Sequence, residues 1–216
     1  MVTERHDLTL RIASALAIIA AVAYCSWPLG YALNPQVSRR GLASELAALH
    51  QPFNWVFIWL DVLAGVLVIA AVELLWRGAK GRLQRVVLAN FALFGLLTAI
   101  DALVPMSCEP SLTQCPSLSH QPLLIVHGIA SIAASLCLFA SAVLVWWLKR
   151  KRRGGTIMSA FMAGWILFGA LSLYFLVRPG PGYLAQHYYI TLCSVWTAAL
   201  PFMLATRSGH AAGVTH

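Results

Sequence analysis

Charged residues are scarce in this sequence, and acidic residues are the scarcest. Asp and Glu account for 7 of the 216 residues, and the four charged residue types together make up 10% of the chain. A soluble globular domain carries about 25% charged residues, so the composition excludes an ordinary water-soluble protein. The chain is instead 60% hydrophobic, with a mean hydropathy of +0.76.

The sequence also lacks the period-two alternation of a membrane β-barrel. Continuous apolar runs of about 20 residues recur along the chain, and a run of that length predicts a transmembrane helix. No small-residue cleavage site follows the first run, so it is predicted to stay in place as a helix. The fold class is therefore an all-α polytopic membrane protein, with residues 1–216 as one domain. Its six transmembrane helices are predicted at about residues 10–33, 53–76, 86–106, 122–148, 157–177 and 189–205.

The basic residues are distributed unevenly between the predicted loops. Twelve of the 15 Lys and Arg residues fall in the two termini and in two turns, near residues 77–85 and 149–153. The positive-inside rule places these segments in the cytoplasm, which gives three hairpins with both termini cytoplasmic. Loops 34–52, 107–121 and 178–188 then lie on the outer face of a bacterial cytoplasmic (inner) membrane. Topology and attraction to the lipid bilayer's anionic headgroups account for the net charge of +8, and nucleic acid is not an expected partner.

A few ionisable residues interrupt the apolar runs near their predicted outer ends. Asp61, Asp101 and His127 fall at similar depths in three helices. Ionisable groups inside a membrane are costly and mark functional sites by default, so these three are the predicted catalytic residues. The predicted pocket would open to the outer leaflet and bind, or act on, a lipid or another hydrophobic small molecule. Small and polar stripes also serve helix packing, which leaves a structural or accessory protein as an alternative.

Metal ligands have no diagnostic spacing here, because the sequence contains no H-x-x-x-H and no H-E-x-x-H motif. Histidines do gather near the outer face, and zinc is bound by His and carboxylate ligands with one position left for water. The predicted metal set is His50, His120, His127 and His187, which would make the protein a metal-assisted hydrolase. The rival hypothesis is a proton-coupled transporter or channel subunit in which Asp61 and Asp101 relay protons.

The five cysteines include no C-x-x-C pair, so a dithiol redox site is not favoured. Cys108 and Cys115 flank a proline-containing loop on the predicted outer face. Cysteines placed in this way form disulfides in an oxidising compartment, and we predict a Cys108–Cys115 disulfide. Cys25, Cys137 and Cys193 lie in apolar runs and are expected to be small core residues.

Several short motifs resemble a known membrane family. They are Ser44-Glu45-Leu46, Gln51-Pro52, Asp61, Gly65, Asp101 before Pro105, Cys108 in an outer loop, and the histidines that enter the fourth helix. Together they resemble the family called domain of unknown function 998, over nearly the whole chain. The resemblance implies a compact six-helix prokaryotic membrane protein and implies no activity.

A fainter similarity connects the residue types to the alkaline ceramidase and adiponectin-receptor superfamily. Those proteins use serine, aspartate and three histidines as a membrane-embedded zinc hydrolase site. This chain has the residue types, but it has six predicted helices instead of seven. It also lacks paired histidines on its last helix.

Overall fold

The computed structural model describes residues 2–109, 122–150, 155–177 and 182–205. This part of the chain is helical and contains no strand, which confirms the all-α prediction for it. The helices are α1 (Val2–Tyr24), α2 (Trp27–Leu33), α3 (Pro35–Arg40), a 3-10 helix (Ala43–Ala47), α4 (Asn54–Trp76), α5 (Arg82–Leu103), α6 (Pro122–Lys149), α7 (Gly155–Val177) and α8 (Gly182–Leu204).

Within the described residues, five helices are long and apolar enough to cross a membrane. The stretches are Asp7–Tyr24, Asn54–Trp76, Arg82–Leu103, Pro122–Lys149 and Thr156–Tyr174. Their outward faces carry large apolar side chains, such as Ile129 and Leu136, which are 64% and 63% exposed. Such broad apolar surfaces are unfavourable in water and suit contact with lipid. The protein is therefore a multi-pass membrane protein.

The predicted first helix, residues 10–33, is in fact divided. α1 ends at Tyr24, and α2 begins at Trp27 with Pro28 in its first turn. Proline has no N–H and fits the first turn of a helix much better than the interior, so the chain restarts a helix there. At the other end of the chain, α8 begins at Gly182, whereas the sequence predicts a start near residue 189.

The segment between α1 and α4 folds over one end of the bundle, and we call residues 25–53 the cap. Its core is Val37 and Leu46, which pack with Phe57 of α4. Gly30 of α2 makes this packing possible, because a Cβ there would lie 2.8 Å from Cδ1 of Leu46. The cap is also joined to α8, since the backbone N–H of Ala43 donates a hydrogen bond to the side chain of Gln186.

The long helices form a bundle in which α1 packs against α4 and α8, α4 against α5, and α5 against α6. α7 packs on α8, and α6 contacts both. The end opposite the cap, which we call the basic end, holds the α4–α5 turn. There Gln84 Nε2 donates to the Leu204 carbonyl oxygen at 3.4 Å, and Lys149 Nζ lies 4.0 Å from Met203 Sδ. The first residues of α5 and the last residues of α6 and α8 therefore meet at this end.

Candidate functional site

Two glycines bring α4 and α5 into close contact. A Cβ added to Gly95 would lie 2.7 Å from the carbonyl oxygen of Gly65, and a Cβ on Gly65 would overlap the carbonyl oxygen of Gly95. Small residues at such crossings let membrane helices approach backbone to backbone. α4 and α5 are antiparallel, so Asp61, one turn before Gly65, lies level with the last turns of α5. Asp61 and Asp101 are consequently within electrostatic range of each other.

His127 connects α6 to the C-terminal end of α5. Its Nδ1 lies 3.2 Å from the carbonyl oxygen of Asp101 and 3.1 Å from that of Val104. It therefore stabilises the end of α5 by donating to carbonyl oxygens of the last turn and of the residue that follows it. The same nitrogen lies 3.0 Å from Asp101 Oδ1. Oδ1 has no hydrogen-bond partner among the described residues, so this is a charge contact that becomes an ion pair when His127 is protonated.

Ser131 lies one turn after His127 on α6 and faces the same carboxyl group. Its hydroxyl donates a hydrogen bond to Asp101 Oδ2 at 3.3 Å. The two α6 side chains thus approach the two oxygens of one carboxyl group from the same side. A nucleophilic serine would instead need its hydroxyl against a histidine nitrogen, so Ser131 and His127 are not arranged as a nucleophile and its base.

Tyr24 completes this group, and sequence reasoning missed it. Its ring packs edge-on against Phe94 of α5 with the centroids 5.4 Å apart. It interacts electrostatically with both Asp61 and Asp101. No sequence pattern singles out Tyr24, because the apolar run does not predict that α1 ends at this residue. We call Tyr24, Asp61, Asp101, His127 and Ser131 the polar core.

The predicted catalytic residues Asp61, Asp101 and His127 therefore converge, whereas the two described loop histidines, His50 and His187, do not join them. His50 is exposed beyond the 3-10 helix. His187 is buried and stacks on Trp27 with ring centroids 4.3 Å apart. His120 lies outside the described residues, among which no three His, Cys, Asp or Glu side chains are grouped to hold a metal. The zinc site therefore stays a prediction.

The predicted disulfide also stays a prediction, because Cys115 lies outside the described residues. The other three cysteines are free: Cys25 lies between α1 and α2, Cys137 lies in α6, and Cys193 is buried in α8. Cys193 and Tyr189 interact electrostatically one turn apart on α8, next to Tyr24 of the polar core.

Comparison with protein-family models matches residues 10–206 to the family described as "Protein of unknown function (DUF998)". The match covers most of the chain, so the protein belongs to this family, as the short motifs indicated. Comparison with curated proteins and with solved structures returns no match.

Proposed function

We propose that this member of the DUF998 family is a membrane protein that binds and moves protons through Asp61, Asp101 and His127. The observation that carries the proposal is the 3.0 Å contact between His127 Nδ1 and Asp101 Oδ1, with Asp61 in electrostatic range of Asp101. Ionisable groups inside a bilayer are expensive and mark proton relays or ligand sites.

A proton site fits the polar core better than a nucleophilic or metal site does. Ser131 donates to Asp101 instead of contacting an imidazole nitrogen, so it is not paired with a histidine base. A zinc site would need His120 or another ligand from outside the described residues, because none of the described histidines joins His127. Carboxyl, imidazole and phenol groups, by contrast, are all proton carriers, and here they come from four different helices.

The partner of proton movement in this proposal is a lipid or another hydrophobic small molecule in the outer leaflet. The polar core supports this placement, since it lies toward the capped end of the bundle. Asp61 is seven residues into α4, or about 10 Å along the axis at about 1.5 Å per residue. Asp101 is two residues from the end of α5, or about 3 Å. Protonation of this site would change the charge that such a ligand meets on entering from the capped end.

The proposal includes a sixth crossing by α8, with both termini in the cytoplasm of a bacterial cell. α8 has 23 residues, or about 35 Å at about 1.5 Å per residue. It reaches from the cap, through Gln186, to the basic end, through Leu204. The cytoplasmic side of the membrane is the expected location of the basic end under the positive-inside rule.

Proton movement can be measured in proteoliposomes that contain a pH-sensitive dye. A potassium diffusion potential, negative inside, drives protons inward. Wild type is expected to acidify the lumen faster than the Asp101→Asn and Asp61→Asn variants. Glu73→Gln is the matched control, because Glu73 is an exposed α4 carboxylate near the basic end. Equal rates for wild type and Asp101→Asn would contradict the proposal.

A further inference from the structure

A cavity of about 300 Å³ opens at the basic end, far from the polar core. It lies between α1, the end of α4, the α4–α5 turn, α5 and the end of α8. Leu88 is buried at its base, with 1% of its surface exposed. Its apolar wall consists largely of leucines: Leu10, Leu74, Leu75, Leu88 and Leu204.

The edge of the cavity is held in place by Gln84. Oε1 of Gln84 accepts a hydrogen bond from the backbone N–H of Lys80. Nε2 of the same Gln84 side chain donates a hydrogen bond to the carbonyl oxygen of Leu204. One side chain thus fixes both the α4–α5 turn and the end of α8 to α5. The cavity therefore lies where hydrogen bonds of Gln84 connect the α4–α5 turn, α5 and the end of α8.

Arg77 is the charged residue that lines the cavity. Its Nη2 lies 3.1 Å from Glu73 Oε1, but the two side chains are 83% and 67% exposed. Exposed pairs of this kind are weak, so the guanidinium can exchange Glu73 for another anion. A guanidinium binds phosphate through two parallel hydrogen bonds.

The surroundings of Arg77 are strongly basic. Lys80, Arg82 and Arg85 follow within eight residues and are all exposed. α5 begins directly after Gly81 without a side-chain cap, so its first N–H groups add partial positive charge on the same side. The cavity therefore combines an apolar wall with one lining arginine, Arg77, and opens beside a strongly basic turn.

We propose that this cavity binds an anionic phospholipid. The phosphate pairs with Arg77 at the rim, and the first methylenes of one acyl chain lie among the leucines. The volume is at the small end of the range for ligand sites, about 300–1,000 Å³, so the cavity holds the part of the lipid next to its headgroup. A soluble phosphate would satisfy Arg77 but would leave the leucine walls unused. Basic pockets between membrane helices are suited to anionic headgroups.

The test is thermal unfolding of the full chain in mild detergent, titrated separately with phosphatidylglycerol, phosphatidylcholine and inorganic phosphate. A ligand that binds only the folded state raises the midpoint, and the rise depends on the logarithm of one plus the ratio of free ligand to Kd. Phosphatidylglycerol is expected to stabilise wild type, and Arg77→Gln is expected to weaken its apparent affinity about tenfold. Arg77→Lys keeps the charge and should retain part of the affinity.

Two further variants keep the test independent of folding effects. Arg39→Gln removes an exposed arginine from the cap and should leave the affinity for phosphatidylglycerol unchanged. Ala79→Leu adds apolar volume to the cavity lining without changing charge, and it should weaken binding.

Three results would overturn the proposal. Phosphatidylcholine could stabilise wild type as strongly as phosphatidylglycerol, inorganic phosphate could reproduce the full effect, or Arg77→Gln and Arg39→Gln could change the affinity equally.

Discussion

His127 Nδ1 lies 3.0 Å from Asp101 Oδ1, and this contact joins the beginning of α6 to the end of α5. His127 also caps α5 through the carbonyl oxygens of Asp101 and Val104. One side chain therefore stabilises a helix end and adjoins a partly buried carboxyl group. The structural and the proton-binding roles meet at the same atoms, so they have to be separated by experiment.

A double-mutant cycle of Asp101→Asn and His127→Gln measures the energy of the contact between the two side chains separately from the effect of His127 on the end of α5. Neighbours in one polar network show coupling energies of about 0.5–3 kcal/mol, and we expect a value in that range for the free energy of unfolding in mixed micelles. The exposed pair Glu73 and Arg77 is the control, for which about 0.3–0.5 kcal/mol is typical. Additive effects of Asp101→Asn and His127→Gln would show that the contact contributes no energy.

The close crossing of α4 and α5 predicts a contrast between two glycine substitutions. A Cβ at Gly65 meets the backbone of Gly95, whereas a Cβ at Gly128 meets nothing within 4 Å. Gly65→Ala should force the helices apart and lower the free energy of unfolding by about 1–3 kcal/mol, a typical cost of overpacking. Gly128→Ala should change it little. Thermal unfolding of both variants checks this, and equal midpoints would mean that the crossing is looser than described.

Substitution of His187, which stacks on Trp27, tests whether this residue packs the fold or binds a metal. Its two ring nitrogens are buried and have no hydrogen-bond partner among the described residues. Removing a buried, unsatisfied polar group is neutral or stabilising when the replacement keeps the shape, so His187→Phe should unfold at or above the wild-type temperature. Elemental analysis of both proteins provides the second readout. Zinc that is present in wild type and missing from His187→Phe would support the predicted metal set instead.

The orientation of the bundle can be tested with single cysteines in a background without the native ones. His50 and Lys80 are both exposed and lie at the capped and the basic end. A membrane-impermeant maleimide should label His50→Cys in intact cells and should label Lys80→Cys only after the membrane is opened. The reverse pattern would invert the proposed topology.

Helix positions were predictable from the sequence because apolar run length directly reflects bilayer thickness. The α4 and α6 bounds, for example, fall within one residue of the prediction. The break at Cys25–Ser26 was missed because Pro28 is compatible with either a helix end or a new first turn. The early start of α8 was missed because Gln186 and His187 look like loop residues until the cap covers them.

The polar core was only half predictable. Its acidic and histidine members stand out because ionisable residues are rare in apolar runs. His127 and Ser131 share a face of α6 by their spacing of four residues. Which face of each helix meets its neighbour depends on packing, and here the Gly65–Gly95 crossing sets it. Tyr24 could not be assigned to the polar core, because its position there depends on where α1 ends, and the sequence predicts one helix through this point.

The most direct test of the proton-binding claim is infrared difference spectroscopy of the purified protein during a pH titration. The C=O stretch of a protonated carboxyl group reports proton uptake and needs no known substrate. We predict a pH-dependent band that is lost in Asp101→Asn, altered in Asp61→Asn and retained in Glu73→Gln. If folded Asp101→Asn and Asp61→Asn proteins give the wild-type band unchanged, the polar core does not exchange protons and the account is wrong.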